Sequence, residues 1–128
     1  MGAGVSITRR VAWVDTDAAG IWHHSTVVRW TEEAEAELHR DLGIIGETFG
    51  RTPRVSVSFE FRKPLAFDDE VRVDLVVSEL GRTSVTYTIS VFHDGALAVE
   101  GTMKAVLVDP QTGRPRPWPE HLRARLAG

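Results

Sequence analysis

Apolar and polar residues alternate along most of the chain, and the period of that alternation divides it into elements. From Val5 to Val14, the residues Val5, Ile7, Val11 and Trp13 share one face, with Arg9 breaking the pattern, which predicts a half-buried β-strand. A polar connection from Asp15 to His24 follows. From Thr26 to Leu42 the apolar positions Val27, Trp30, Ala34, Leu38 and Leu42 recur at three- and four-residue steps, with Glu32, Glu33 and Arg40 opposite. That stripe predicts an amphipathic helix. Ser25 or Thr26 is placed to cap its start by accepting a bond from a free backbone N–H. Its glutamate-rich start suits the positive end of the helix dipole, and Gly43 stands where a left-handed cap would stop it. Ile44 to Pro53 holds two glycines and no clear period, and reads as loop or a short turn of helix.

Beyond that point the period is two. Val55, Val57, Phe59 and Phe61 form one run, and Val71, Val73, Leu75 and Val77 a second. Val85, Tyr87, Ile89 and Val91 form a third, and Val99, Met103, Ala105 and Leu107 a fourth. The breaks are Lys63-Pro64 to Asp69, Gly81-Arg82 and Asp94-Gly95, the last a strong hairpin signal. No helix-length segment separates these strands. Parallel pairing needs a crossover of about a dozen residues, so the sheet must be mainly antiparallel. One long helix against a curved sheet of five strands is an α+β architecture. After a proline-rich stretch, Pro119 to Leu126 predicts a short final helix with Pro in its first turn.

Composition adds exclusions. The 128 residues, with 42% hydrophobic and 26% charged, predict one globular domain over residues 1–128. With no cysteine there is no disulfide, thiolate zinc site or cysteine nucleophile. A net charge of −3 gives no footprint for nucleic acid. No apolar run approaches the ~18–20 residues of a membrane span. The N-terminus lacks a basic segment followed by an apolar one, so no secretory signal is read and a cytoplasmic location is expected.

The densest polar cluster is Asp15, Asp17, His23 and His24, between the first strand and the long helix. Loops leading into helix N-termini stabilise negative charge, because free N–H groups point outward there. A carboxylate beside such an end can act as base or nucleophile while the helix end takes up an oxyanion, which suits acyl transfer. Other readings use the same letters. Asp15 and Asp17 fit turn residues bonding their own backbone. Two aspartates and two histidines are also of types that hold a divalent metal, but nothing fixes the geometry and no metal is expected. A phosphatase of the haloacid-dehalogenase type also opens with Asp-x-Asp after a strand, but it needs a parallel sheet.

The stretch 13–33, with Trp13, Asp15-Thr16-Asp17, Gly20, His23-His24 and Arg29-Trp30, resembles the signature of hot-dog-fold thioesterases of the 4-hydroxybenzoyl-CoA type. That signature is an Asp-Thr-Asp-x-x-Gly loop, a Tyr-His or similar pair, then a helix with Arg-Trp or Arg-Phe. The resemblance covers nearly the whole chain. It implies the hot-dog fold, a long central helix wrapped by the curved sheet, in the element order read above. It also implies a thioesterase acting on an acyl- or aryl-thioester of CoA or acyl carrier protein. No cofactor is implied, CoA or phosphopantetheine being part of the substrate.

By the same resemblance Asp17 is the catalytic carboxylate, as nucleophile or as general base. His24 stands at the helix start whose backbone N–H faces the thioester oxygen, and Asp15 supports the loop. Gly20 lets the loop bend towards substrate. Ile21, Trp22 and His23 adjoin the acyl pocket. Arg82, in the turn after the third strand, is placed for CoA phosphates, with Lys63 a further phosphate contact. The family pairs two chains strand to strand, so a homodimer or homotetramer is expected, and an unpaired sheet edge points the same way. The chain departs from the family at Trp13, where one branch has tyrosine. It departs also at His23, usually another aromatic, and at Ser25-Thr26-Val27. Two alternatives stay open: a hot-dog dehydratase or hydratase using a carboxylate on the long helix (Glu32, Glu33, Glu35 or Glu37), and a non-catalytic acyl-ligand binding module. Trp22, Trp30, Phe59 and Phe61 are candidates to line an acyl tunnel, but Phe59 and Phe61 are expected in the core.

Overall fold

The structure is a computed structural model that describes residues 2–20, 22 and 24–128. Five strands, β1 (Gly4–Arg10), β2 (Arg54–Phe61), β3 (Glu70–Leu80), β4 (Ser84–His93) and β5 (Ala96–Val106), form one sheet. Its order is β1-β3-β4-β5-β2, and every neighbouring pair is antiparallel. The helix α1 (Thr26–Asp41) packs on the β1–β3 half of its inner face. A short helix α2 (Ile45–Thr48) and a terminal helix α3 (Glu120–Ala127) complete the chain. The element order is the one the periodicity predicts. Among the described residues, no helix is long and apolar enough to cross a membrane.

Three local expectations need correction. β1 stops at Arg10, not Val14. Val11 leaves the strand to enter the core, its N–H bonded to the Asp69 carbonyl and its own carbonyl to the Asp68 N–H. The chain then tightens into a 3-10 turn, Trp13–Asp15, which leaves Trp13 67% and Val14 81% exposed. Second, neither Ser25 nor Thr26 caps α1. Ser25 is already helical (φ −65°, ψ −19°) and makes no side-chain cap, and Thr26 is buried. Third, the first turn of α1 holds no acidic residue, because the glutamates begin one turn later. The far end is as expected: Gly43 takes φ +72° and closes the helix. The β4–β5 hairpin turns on Asp94 (φ 49°) and Gly95 (φ 76°), the left-handed pair that a two-residue turn requires.

The core lies between α1 and the inward residues of β3, β4 and β5. Val71, Val73, Leu75 and Val77 of β3 meet Val27, Trp30, Ala34 and Leu38 of α1 in one apolar cluster. The C-terminal segment joins it. Trp118 is buried and its indole N–H donates to the Ser84 carbonyl at 2.9 Å, while Leu122 and Leu126 of α3 are buried.

Beside the apolar stripe, α1 buries a polar one, Thr31, Glu35 and His39, spaced four residues apart. Arg54, at the start of β2, donates to Glu35 at 2.5 Å. His39 meets the Thr48 hydroxyl through Nδ1 at 2.5 Å and the Tyr87 hydroxyl through Nε2 at 2.8 Å. One ring nitrogen as donor and one as acceptor is the neutral imidazole. Burial, with the nearby Arg54 charge, pushes the His39 pKa down to about 4. Burial raises the Glu35 carboxyl despite the attraction of Arg54.

Two expectations follow. Arg54→Met leaves the Glu35 carboxylate buried without its cation, so chemical denaturation should show a loss of about 3–5 kcal/mol. His39 refuses a proton that the unfolded chain accepts below the ordinary value of 6.5. Its contribution is therefore complete above that value and is lost as pH falls towards about 4, a loss of up to about 3 kcal/mol. Glu35, with its raised pKa, works in the opposite sense within the acid range. Melting temperature against pH should therefore be flatter for His39→Gln than for wild type between pH about 7 and about 4. Equal slopes would show that His39 carries no such linkage.

Candidate active site

The loop between the 3-10 turn and α1 is pinched at its base by an isolated antiparallel bridge, Thr16 to Trp22. Within it the chain reverses over Asp17 to Gly20, with the Gly20 N–H bonded to the Asp17 carbonyl at 3.0 Å. Gly20 has φ +76°, a left-handed conformation that glycine adopts without strain. Its carbonyl accepts the Phe67 N–H, which ties the loop to the β2–β3 connection. The Asp17 side chain is exposed, and its Oδ1 accepts the Ala19 N–H at 2.8 Å. His24 follows two residues after the bridge, exposed, at the start of α1. Ile21 and His23, both expected at the acyl pocket, lie outside the described residues.

Asp15 does not face solvent. Only 3% of its side chain is accessible, and Arg29, in the first turn of α1, grips it through Nη1 at 2.9 Å and Nη2 at 3.2 Å. The Ala12 N–H donates to the same carboxylate at 2.9 Å. Burial would raise the Asp15 pKa; the bonds from Arg29 and Ala12 and the guanidinium charge outweigh it and hold the carboxyl below its ordinary range. Arg29 is raised in turn by its bond to Asp15.

A cleft of about 280 Å³ opens beside the start of α1, lined by Trp22, His24, Phe61, Arg62, Lys63 and Pro64. Trp22 is buried at its floor, stacked on Trp30 with ring centres 5.4 Å apart. Phe61 sets its edge against both Trp22 and His24. Phe61 is 46% exposed, so it is a wall of this cleft and not the core residue expected; Phe59 is half-buried. The reason is topological. β2 lies at the sheet edge while α1 packs on the β1–β3 half, so the inward β2 residues Val57 and Phe61 stay open. Arg62 is occupied by Glu100 and Glu60, whereas Lys63 has no ion pair among the described residues. Asp17 is not among the lining residues of this cleft.

Arg82 is exposed in the β3–β4 turn. β1 runs antiparallel to β3, with Arg10 beside Glu70, so Asp17 lies at the end where β3 begins and Arg82 at the end where it stops. One chain does not bring the two together. Among the described residues no cluster of His, Asp and Glu could hold a metal ion. The sequence reading quoted Arg29 within the 13–33 signature but gave it no role, and it expected Phe61 in the core rather than at the cleft.

At Gly20 an added Cβ would meet no atom within 4 Å, so substitution acts through backbone strain alone. Gly20→Ala should cost about 1–2 kcal/mol in a denaturation experiment, with the melting transition still cooperative.

The sequence profile of the thioesterase-like superfamily matches residues 11–126. The acyl-CoA thioester hydrolase YbgC of Escherichia coli is 26% identical over 123 residues, covering 91% of each chain. A protein of Aquifex aeolicus solved by crystallography superposes with a TM-score of 0.88 at 29% identity, covering 95% of this chain and 98% of its own. A Thermus thermophilus thioesterase, solved with coenzyme A and zinc, superposes at 0.85 with 25% identity, covering 95% and 91%. The fold is the hot-dog fold that the stretch 13–33 implied, and the chain belongs to the thioesterase-like superfamily.

Proposed function

We propose that the protein hydrolyses an acyl- or aryl-thioester of coenzyme A, with Asp17 as the reactive carboxylate. The observation that supports this reading is an exposed Asp17 carboxylate on the loop, turned by the left-handed Gly20, that leads into a 16-residue helix. A thioester carbonyl between them meets an electron-rich oxygen on one side and the outward N–H groups of a helix end on the other. Two routes fit. The carboxylate attacks the carbonyl carbon, expels the CoA thiolate and leaves a mixed anhydride that water cleaves. Otherwise it takes a proton from water as that water attacks. In both, the oxyanion is held by the helix-start amide at His24, a contribution of about 3–4 kcal/mol for one such donor. The aromatic walls Trp22 and Phe61 suit the acyl part, and Lys63 at the rim suits a phosphate.

Three of the four helix carboxylates that a dehydratase could use are engaged: Glu35 is buried against Arg54, Glu33 is held by Arg9 and Arg29, and Glu37 by Arg40, while the exposed Glu32 lies 3.9 Å from Arg54. This favours hydrolysis led by the loop aspartate.

The same reading needs a second copy. β2 leaves its outer edge unpaired and its inward Val57 and Phe61 exposed. Antiparallel pairing of two β2 edges would extend the sheet and set the partner's β3–β4 turn alongside this chain's Asp17 end. Arg82 would then serve the neighbouring site. An acyl carrier protein presents the same phosphopantetheine arm, so both carriers belong in the test.

Acetyl-, hexanoyl-, palmitoyl- and benzoyl-CoA, and an acyl carrier protein charged with the same groups, should be followed by release of free thiol. At least one should turn over, and Asp17→Asn should lose about 10²-fold or more. A loss below about tenfold removes Asp17 from the chemistry. His24→Ala should keep much of the activity, because its amide survives the change. Sedimentation should give a dimer or larger, and Val57→Asp should shift it to monomer with loss of turnover. A monomeric, active wild type would refute the shared site.

A further inference from the structure

We infer that Arg29 is a positioning residue for Asp17, an inference resting on the reading of Asp17 as the reactive carboxylate. The two halves of the site stand on different elements. Asp17 rides on an exposed loop, and the amides belong to the start of α1. Catalysis needs them in register, since a misplacement of about 1 Å can cost about 10²-fold. Among the described residues, backbone bonds hold the loop's far side to the β2–β3 connection, Phe67 N–H to the Gly20 carbonyl at 3.2 Å and Trp22 N–H to the Leu65 carbonyl at 3.0 Å, and the Thr16–Trp22 bridge closes its base. The side-chain anchor that ties the loop to α1 is Asp15, two residues before Asp17, which binds both the turn behind it and the helix ahead of it.

The geometry of that anchor is built for direction. Both Asp15 oxygens are taken by the two Nη atoms of Arg29, so the carboxylate plane is fixed relative to α1. The Ala12 N–H fixes the same group to the end of β1, and the Thr26 side chain adds a further bond. Arg29 is itself held. Glu33, one turn on, lies 3.7 Å from its Nε, and the other Glu33 oxygen takes Arg9 of β1 at 2.7 Å. A continuous charge chain, Arg9, Glu33, Arg29, Asp15, therefore runs from β1 across α1 to the residue that sets where Asp17 begins. A lysine at position 29 would keep the charge but lose the planar fork.

The test is a double-mutant cycle on whichever thioester in the panel above turns over fastest. Arg29→Lys should lower kcat by about tenfold and Arg29→Met by about 10²-fold, with KM changed less than threefold. In the Asp17→Asn background the same changes should cost less than about threefold, because the group they position has gone. An equal loss in both backgrounds overturns the proposal, and so does unchanged kcat in Arg29→Met. If Asp17→Asn itself stays active, the reading of Asp17 fails first, and that single variant reveals it before any Arg29 change is made. Amide hydrogen exchange supplies a readout independent of turnover. In Arg29→Lys the amides of residues 16–20 should exchange at least tenfold faster, while those of β3 and β4 keep wild-type rates. A loop that exchanges at the wild-type rate would refute the positioning role. Faster exchange spread equally through the sheet would do the same, by marking Arg29 as merely structural.

Discussion

A carboxylate taken out of water must be answered by a cation, and two such pairs set the frame of this protein. Asp15, between β1 and α1, is held by Arg29; Glu35, inside α1, is held by Arg54 from β2. Each pair joins elements that the apolar core alone would leave free to slide. Side chains such as Val73, Trp30 and Leu38 favour contact between α1 and the sheet, but burial is not directional. The ion pairs are. They fix where α1 begins and how its middle meets the edge strand, and both the loop and the cleft depend on those two positions. The Asp15 pair is half-open to solvent on its arginine side, so its value lies more in orientation than in free energy.

Most of the fold could be read from periodicity. Strands β2 to β5 repeat every second residue and α1 every third or fourth, and the short gaps between strands dictate antiparallel pairing. The errors came where a side chain overrules the local pattern. Val11 and Trp13 continue the alternation of β1, yet the Asp15 carboxylate draws the Ala12 N–H and closes a 3-10 turn, so only Val11 stays buried. Ser25 is a good cap by composition, but its backbone is already helical and its hydroxyl cannot turn back. The polar stripe Thr31, Glu35 and His39 was visible as three residues four apart. Its burial was not, because the partners Arg54, Thr48 and Tyr87 come from three other elements.

The site was legible to a different degree. The loop letters Asp-Thr-Asp and Gly20 carried their positions with them, since a glycine at φ +76° and a turn bond to Asp17 are local matters. Which aspartate would be buried was not local. Asp15 and Asp17 are chemically identical and two residues apart, and what separates them is the reach of Arg29 together with the Ala12 N–H. Phe61 and Lys63 belong to the cleft through β2 being an edge, a property of strand order that no residue in β2 announces. Arg82 is the converse case: a basic residue in a turn looks well placed along the sequence, yet the antiparallel sheet sends it to the far end of its own chain.

These placements limit what one chain can do. Along each antiparallel strand, one end carries Asp17, the aromatic walls and Lys63, while the other end carries Arg54 and Arg82. A strand edge that repeats this polarity in reverse joins opposite ends. β2 is such an edge, with open backbone and the apolar residues Val57 and Phe61 beside it. A two-fold axis through β2 would therefore do two things at once. It would cover an edge and an apolar surface that are liabilities in a lone chain, and it would carry cations from one chain towards the carboxylate of the other. Stability and site construction then make the same demand, which is why strand order, more than any single residue, decides where this chain places its chemistry.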